Sequence, residues 1–382
     1  MDQRLQFISD YLRNAWSMTE LCERYEISRT TGYKWFGRYE NEGPLGLLDR
    51  SRRPHHSPNA APPGVVDALI SARRRHPHWG PKKLLAILAA RQPSWPWPAP
   101  STAGAILKRH GLVESRRRRR RRQPATGRPR TESTAPNDVW TADFKGEFRT
   151  RDSQYCYPLT IVDDHSRYLL ACRALLKPTT AATQASFAQL FRTVGLPRVI
   201  RTDNGIPFAG KGLARLSRLA VWWIRLGITP ELIAPARPDQ NGRHERLHRT
   251  LKEATVCPPA TTPAAQQRRF TRFRQEYNEL RPHEALGQIP PARCYKPSDC
   301  PWPDPLPLLE YPGHFQLRRV STNGCMRWHN RPVFVSFVLT GMTIGLEPLT
   351  ADAWDVYFGP RRLGVFVESK TRIENIATMK SD

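Results

Sequence analysis

Residues 239–253 read DQNGRHERLHRTLKE and set His244 and His248 four positions apart with Glu245 beside the first. On a helix that spacing puts two imidazoles one turn apart next to a carboxylate, the arrangement with which many metalloproteases hold zinc and a general base. Two other carboxylates suggest a different use for Glu245. Asp143 stands inside the run VWTADFKG, and Asp203 follows VIRT and opens DNG. Open α/β sheets carry their sites at the carboxyl ends of strands, which is where Asp203 should sit. Three carboxylates brought together repel one another unless a divalent cation lies between them, and an all-oxygen set suits Mg²⁺ or Mn²⁺. Two such ions about 4 Å apart activate an attacking oxygen and stabilise a leaving one in phosphoryl transfer.

The zinc reading fares worse. Its extended motif needs glycine and histidine at the positions held by Leu251 and Ala254, although a distant Glu276 could still serve as third ligand. Arg243, Arg246, Arg249 and Lys252 would crowd a zinc site but suit a DNA backbone. It also leaves Asp143 and Asp203 without a role. His244 and His248 are then expected as DNA-proximal or surface side chains. Glu245, Arg249 and Lys252 stand at i, i+4 and i+7 and share one helix face, with Leu247, Leu251 and Ala254 on a separate packing face.

Charge points the same way. The chain has 382 residues, long enough for two to four domains, with 60 Lys plus Arg against 34 Asp plus Glu and a net charge of +26. That excess suits a polyanion, nucleic acid before membrane. Arginine outnumbers lysine 49 to 11, and the guanidinium fork matches phosphate oxygens in a bidentate way. GC-rich coding explains that ratio but not the net charge. The 7 cysteines are scattered without a C-x-x-C pair, so neither a disulfide framework nor a cysteine zinc site is indicated. The N-terminus lacks an apolar leader and no run of 18 apolar residues occurs. A soluble, cytoplasmic, nucleoid-associated protein with no membrane contact is expected.

The elements that position these residues fall into six segments. Residues 1–50 read as a helix-turn-helix DNA-binding domain: SMTE is a capping box, Ser28 caps a third helix, Tyr33, Phe36 and Tyr39 pack, and Arg29, Thr30, Thr31, Lys34 and Arg38 face solvent and DNA. A plain helical bundle is the alternative. Residues 51–64 are a Pro-rich linker, and 65–113 a second helical DNA-binding module. Residues 114–136 carry Arg116, Arg117, Arg118, Arg119, Arg120, Arg121 and Arg122, a block too charged to fold alone and suited to gripping phosphates. Residues 137–298 run from three strands into strands alternating with helices, which predicts an α/β core with a mixed sheet covered on both faces. Residues 299–382 hold six short β-type runs and predict a small all-β, barrel-like or sandwich domain whose core includes Trp328 and Trp354. His55, His56, His76 and His78 read as linker or surface residues.

VWTADFKG, DDHSRY, RTDNG, AVWWIRLGI, PDQNGRHERLHRTLKE and YNELRPHEALG, in that order, resemble the integrase core of bacterial insertion-sequence transposases, relatives of retroviral integrases. LLDRSRRPHHSP and DVYFGP add to the likeness. The resemblance implies an RNase H-like fold and a D-D-E triad carried over as Asp143, Asp203 and Glu245. It also implies two Mg²⁺ or Mn²⁺ ions per active site, cleavage of double-stranded DNA at element ends, and attack by the freed 3′-hydroxyl on target DNA. Arg249 and Lys252 match positions that contact the DNA end, and a homo-oligomer holding two ends is expected. The 41 residues between Asp203 and Glu245 exceed the usual retroviral spacing, with the surplus around AGKGLARLSRL as a longer helix or loop. The alternative is a catalytically inactive, transposase-derived DNA-binding regulator.

Overall fold

The computed structural model describes residues 2–50, 60–113, 131–234 and 242–375. Two compact units, 1–60 and 61–382, emerge from it. The first holds α1 (Asp2–Leu12), α2 (Met18–Arg24) and α3 (Arg29–Glu42). Ser17 and Glu20 close the capping box on α2, and the Ser28 hydroxyl accepts from Thr31 N at the head of α3. Gly32, Trp35, Phe36 and Tyr39 form the inward stripe of α3. A Cβ at Gly32 would stand 2.6 Å from Cys22 Sγ, so glycine lets α3 approach α2 closely. Tyr33, expected to pack, lies off that stripe and is exposed; Trp35 takes its place, edge-on to Phe7.

The second unit begins with α4 (Pro63–Arg75), α5 (Pro81–Arg91) and α6 (Pro100–Arg109). Each opens on proline, whose missing N–H and fixed φ suit a first helical position. They close around Leu69, Leu84, Ile106 and Leu107.

A mixed sheet follows: β1 (Val139–Phe144), β2 (Phe148–Arg149), β3 (Tyr155–Asp163), β4 (Leu169–Leu175), β5 (Val199–Thr202) and β6 (Thr229–Leu232). β3 lies antiparallel between β1 and β4, while β5 and β6 extend the sheet parallel to β1. Side chains alternate across it. Trp140, Ala142, Leu159 and Ile161 point to the face covered by α7 (Thr180–Val194) and α8 (Arg218–Arg225), where Phe187, Phe191 and Trp223 meet them. The opposite face, with Val162, Leu169 and Cys172, is covered by α9 (Gly242–Leu251) and α10 (Pro263–Gln275) through Leu247, Leu251, Phe270 and Phe273. This RNase H-like arrangement is the mixed, doubly covered sheet that the strand and helix pattern predicts.

After α9 the helix widens into one π-turn, Lys252–Val256. That extra residue rotates the face: Thr255 and Val256 are buried, whereas Ala254, expected to pack, is exposed. Segment 209–217, the surplus between Asp203 and Glu245, is a compact loop with Ala214 and Arg215 at positive φ. It is neither slack nor a long helix, because Leu213, Ala214 and Leu216 are buried in a core shared with the C-terminal strands. Those are β7 (Gln316–Arg319), β8 (Cys325–Trp328), β9 (Arg331–Phe334), β10 (Thr343–Thr350), β11 (Ala353–Phe358), β12 (Arg361–Val367) and β13 (Arg372–Asn375). Five form an antiparallel sheet in the order β13-β12-β11-β10-β7, and β8-β9 is a hairpin beside its edge strands. Trp328 is buried and meets Trp354 edge-on, as core residues do. β13 lies in the polar run TRIEN, which carries no apolar alternation to announce it.

Candidate active site

β1 and β5 are parallel neighbours in register through Ala142 and Thr202. Asp143 and Asp203 each lie one residue further on. Asp143 is still paired with Thr160 of β3, on the α9 side of the sheet, whereas Asp203 lies just past the end of β5, the neighbouring strand about 5 Å away. Both are half-buried. Asp203 accepts from Gly205 N at 3.2 Å, and burial pushes its carboxyl above the usual range, partly offset by that bond. Glu245 lies in the first turn of α9 and is exposed, as are Arg249 and Lys252 on its face.

The two histidines of the H-E-x-x-H are not surface residues. His244 is 2% exposed and His248 half-buried, with their rings edge-on at 5.4 Å. The Thr160 hydroxyl, on the β3 residue paired with Asp143, meets His248 Nε2 at 2.8 Å and donates to the Asp143 carbonyl at 3.2 Å. His248 Nδ1 stands 4.0 Å from Asp143 Oδ2. That proximity is not an ion pair: burial first, then His244 and Lys145, push the His248 imidazole down to about 3, so it is neutral at pH 7. Burial pushes His244 down to about 4. The pair therefore works as an anchor. It pins α9 across β1 and β3 and turns Glu245, one helical turn before His248, outward. Histidine spacing alone gives no sign of this, because the same spacing serves a ligand pair or a packed pair.

Lys145 also escaped the sequence reading. It lies two residues after Asp143, hence on the same side of the chain in an extended segment. Burial and the nearby Lys252 lower its pKa, so a cation just past β1 and one in the π-turn after α9 face each other.

Among the described residues no three His, Cys, Asp or Glu side chains are gathered closely enough to hold a metal ion. The zinc reading of His244 and His248 therefore gains no third ligand, and the three carboxylates do not converge. The donor chemistry nonetheless fits a hard cation. Two half-buried aspartates follow adjacent strands, Asp203 with its charge disfavoured by burial, and Glu245 on α9 is exposed and can exchange rotamers on a short timescale. Arg29, Thr30 and Lys34 are exposed on α3, Arg38 is half-buried, and the Thr31 hydroxyl is engaged by Ser28. Arg116 to Arg122 lie outside the described residues. His76, expected on the surface, stacks on Trp79 at 4.0 Å and sets Nδ1 3.0 Å from Glu276, joining α4 to the end of α10.

Parts of the chain match known families. An integrase core domain family model matches residues 133–238 and a second integrase core domain model residues 226–291, so that together they span Asp143, Asp203 and Glu245. A model of the leucine-zipper of insertion element IS481 matches residues 3–75. The chain carries an integrase core domain, and its N-terminal helices match an insertion-element model. Its integrase core places it in the DDE polynucleotidyl transferase superfamily. An uncharacterized 39.2 kDa protein of insertion element IS476 from Xanthomonas euvesicatoria is 28% identical over 240 residues, 62% of this chain and 66% of that one. An uncharacterized 31.7 kDa protein of insertion element IS407 from Burkholderia multivorans is 28% identical over 191 residues, 49% of this chain and 65% of that one. The chain thus spans just under two thirds of the length of these relatives. The HTLV-2 integrase catalytic core domain in complex with magnesium aligns with 43% of this chain and 99% of its own at 17% identity and TM-score 0.34. A simian T-cell lymphotropic virus intasome chain aligns with 77% of this chain and 97% of its own at 17% identity and TM-score 0.38. No helix among the described residues is long and apolar enough to cross a membrane.

Proposed function

We propose that this integrase-core protein is a DNA transposase that cleaves double-stranded DNA at the ends of a mobile element and joins the freed 3′-hydroxyl to target DNA. The observation that carries the reading is that Asp143 and Asp203 each directly follow the last registered pair, Ala142 and Thr202, of the adjacent parallel strands β1 and β5. These three residues would hold Mg²⁺ or Mn²⁺, two ions per site, which when bound neutralise charge on the scissile phosphate and lower the pKa of the attacking hydroxyl. The chain's own residues do the rest. The aspartates, one inside β1 and one directly after β5, are the rigid part of the donor set, and Glu245 swings in from α9. Neutral His244 and His248 keep that helix seated without adding charge beside the carboxylates. Arg249 and Lys252 hold the DNA end along the same helix face.

Residues 1–50 read duplex DNA through Arg29, Thr30, Thr31, Lys34 and Arg38. Residues 65–113 form a second DNA-binding module, the arm Arg116–Arg122 grips phosphates, 137–298 carry the chemistry and 299–382 supply DNA or subunit contacts. A homo-oligomer holds the two element ends in the bacterial cytoplasm, on the nucleoid.

The test is Mg²⁺-dependent nicking and joining of a plasmid carrying this gene with its native flanks, for wild type, Glu245→Gln, and wild type with EDTA. Defined breaks at the element ends, absent from both controls, are expected. DNA binding without breaks in either Mg²⁺ or Mn²⁺ would overturn the enzyme and favour a DNA-binding regulator.

A further inference from the structure

A second concentration of charge lies beside the carboxylates, in a cavity of about 320 Å³ between α5, α9 and the segment after α10. Lys83, Arg167, Arg243, Arg246, Arg249 and Arg281 line it, against Glu284 as the acid in its wall. They come from four places in the chain: α5, the β3–β4 turn, α9 and the residue after Glu276–Leu280, a π-turn that continues α10. Glu284 is already drawn to Lys82 at 2.6 Å. Behind the wall Asp164 serves two guanidiniums, Arg243 at 2.5 Å and Arg167 at 3.4 Å. Glu276 and Glu253 act on Arg281 and Asp163 on Arg167 from outside the cavity lining, where, among the described residues, Glu284 alone faces six cations that press on one another. Burial and then Arg281 bring the Lys83 ammonium down to about 8, with Glu284 acting the other way. Burial and then Arg243 lower Arg167. Burial, Lys83, Arg281 and Arg167 hold His283 down to about 3, so it adds no charge at neutral pH. The Tyr277 hydroxyl, pushed up to about 12 by burial, remains a proton donor at the cavity wall.

Crowded, half-desolvated cations in an open cavity are stabilised by an anion with several acceptor oxygens, and a guanidinium cluster matches phosphate geometry. We infer that this cavity holds a backbone phosphate of the bound DNA strand, gripped jointly by Lys83 of the second helical module and the arginines of the integrase core. This rests on the reading that the chain acts on DNA. Glu245 and Arg249 are four residues apart on α9, about 6 Å along its axis, so a strand anchored in the cavity passes the carboxylates within about one nucleotide step. The module and the core already touch here: Lys83 Nζ donates to the Pro282 carbonyl, and Arg281 lies over the Trp79 ring at 6.0 Å. A phosphate in the cavity adds a ligand shared by both bodies.

The test uses the full chain and a fluorescent random-sequence DNA duplex, with the affinity followed over a salt series for wild type, Lys83→Gln, Arg246→Gln and the charge control Arg218→Gln. Arg218 is exposed and opens α8, on the other face of the sheet. Loss of one phosphate contact should flatten the slope of log K against log salt by roughly 0.9 in each cavity variant and leave the control at the wild-type slope. Arg246 is exposed, so its variant keeps the test valid if Lys83→Gln misfolds. A thermal-shift arm with inorganic pyrophosphate separates the sources of phosphate. Pyrophosphate stabilisation lost in the variants, with their DNA salt slopes unchanged, would make this a small-anion site and overturn the inference. Unchanged slopes with wild type still binding DNA would overturn the cavity's role and leave the transposase reading standing. Failure of wild type to bind DNA at any salt concentration would instead overturn both.

Discussion

Acid should loosen the integrase core through the two histidines beneath Glu245. An exposed histidine titrates near 6.5, whereas burial brings His244 down to about 4 and His248 to about 3. Below pH 6.5 the unfolded chain therefore takes up protons that the native chain refuses. Stability contributed by the neutral pair is complete above about 6.5 and is lost as pH falls from there toward 4 and 3. At pH 5 each histidine has crossed about 1.5 units, which at 1.36 kcal/mol per unit costs about 2 kcal/mol, or about 4 kcal/mol for both. Both side chains are shielded, His248 at 14% exposure, so solvent screening removes little of this. The assay is urea unfolding of the full chain at pH 7 and pH 5, followed by fluorescence of the buried core residues Trp140 and Trp223. The comparison is with the double variant His244→Phe, His248→Gln, which has no titrating group at either position. Wild type should lose about 4 kcal/mol more than the variant between the two pH values. Equal losses would refute the neutral, buried anchor and leave the seating of α9 unexplained.

Leu251, fully buried under α9, should cost about 2–5 kcal/mol when cut to alanine, read as a lower urea midpoint with DNA joining reduced in step. Asp143→Asn and Asp203→Asn, like Glu245→Gln, should abolish plasmid nicking while DNA affinity in a gel-shift titration changes little. At Gly210 an added Cβ would stand 2.1 Å from the Leu216 carbonyl, so Gly210→Ala should destabilise the loop by about 1–3 kcal/mol and expose 209–217 to limited proteolysis. Replacing several of Arg116 to Arg122 with glutamine should weaken DNA binding and flatten its salt dependence; an unchanged slope would make that segment a spacer.

Local chemistry was legible in the sequence where neighbours along the chain decide it. The alternation of Trp140, Thr141, Ala142 and Asp143 fixes which side of the sheet the carboxylate takes, and Ser17 with Glu20 marks a helix start without help from elsewhere. The strands around Asp143 and Asp203 follow from the same rule. What depends on distant partners was not legible. His244 and His248 read as exposed because a basic helix is normally solvated, and only β1 and β3 arriving beneath them make burial possible. His76 finds Glu276 two hundred positions away. Ala254 was misplaced because a single π-turn rotates the face by one residue, a change to which hydrophobic spacing is blind. Tyr33 misled because aromatic character does not reveal which stripe of α3 meets α1 and α2.

The core that unites Leu213, Ala220, Val221 and Ile224 with Phe358, Leu363 and Phe366 bears on how such chains can be recombined. A chimera joined at the proline-rich stretch before β7 would look natural from the sequence, since composition breaks there. It would also cut one apolar core in two. The exchanged half would bring foreign side chains against α8 and the 209–217 loop, while Trp302, packed between Phe191 and Trp222, would still belong to the old body. A functional graft would have to carry 213–224 along with the C-terminal strands, so the unit of exchange is discontinuous in the chain. Drift in the loop that separates Asp203 from Glu245 is then constrained by the tail more than by the chemistry it spans.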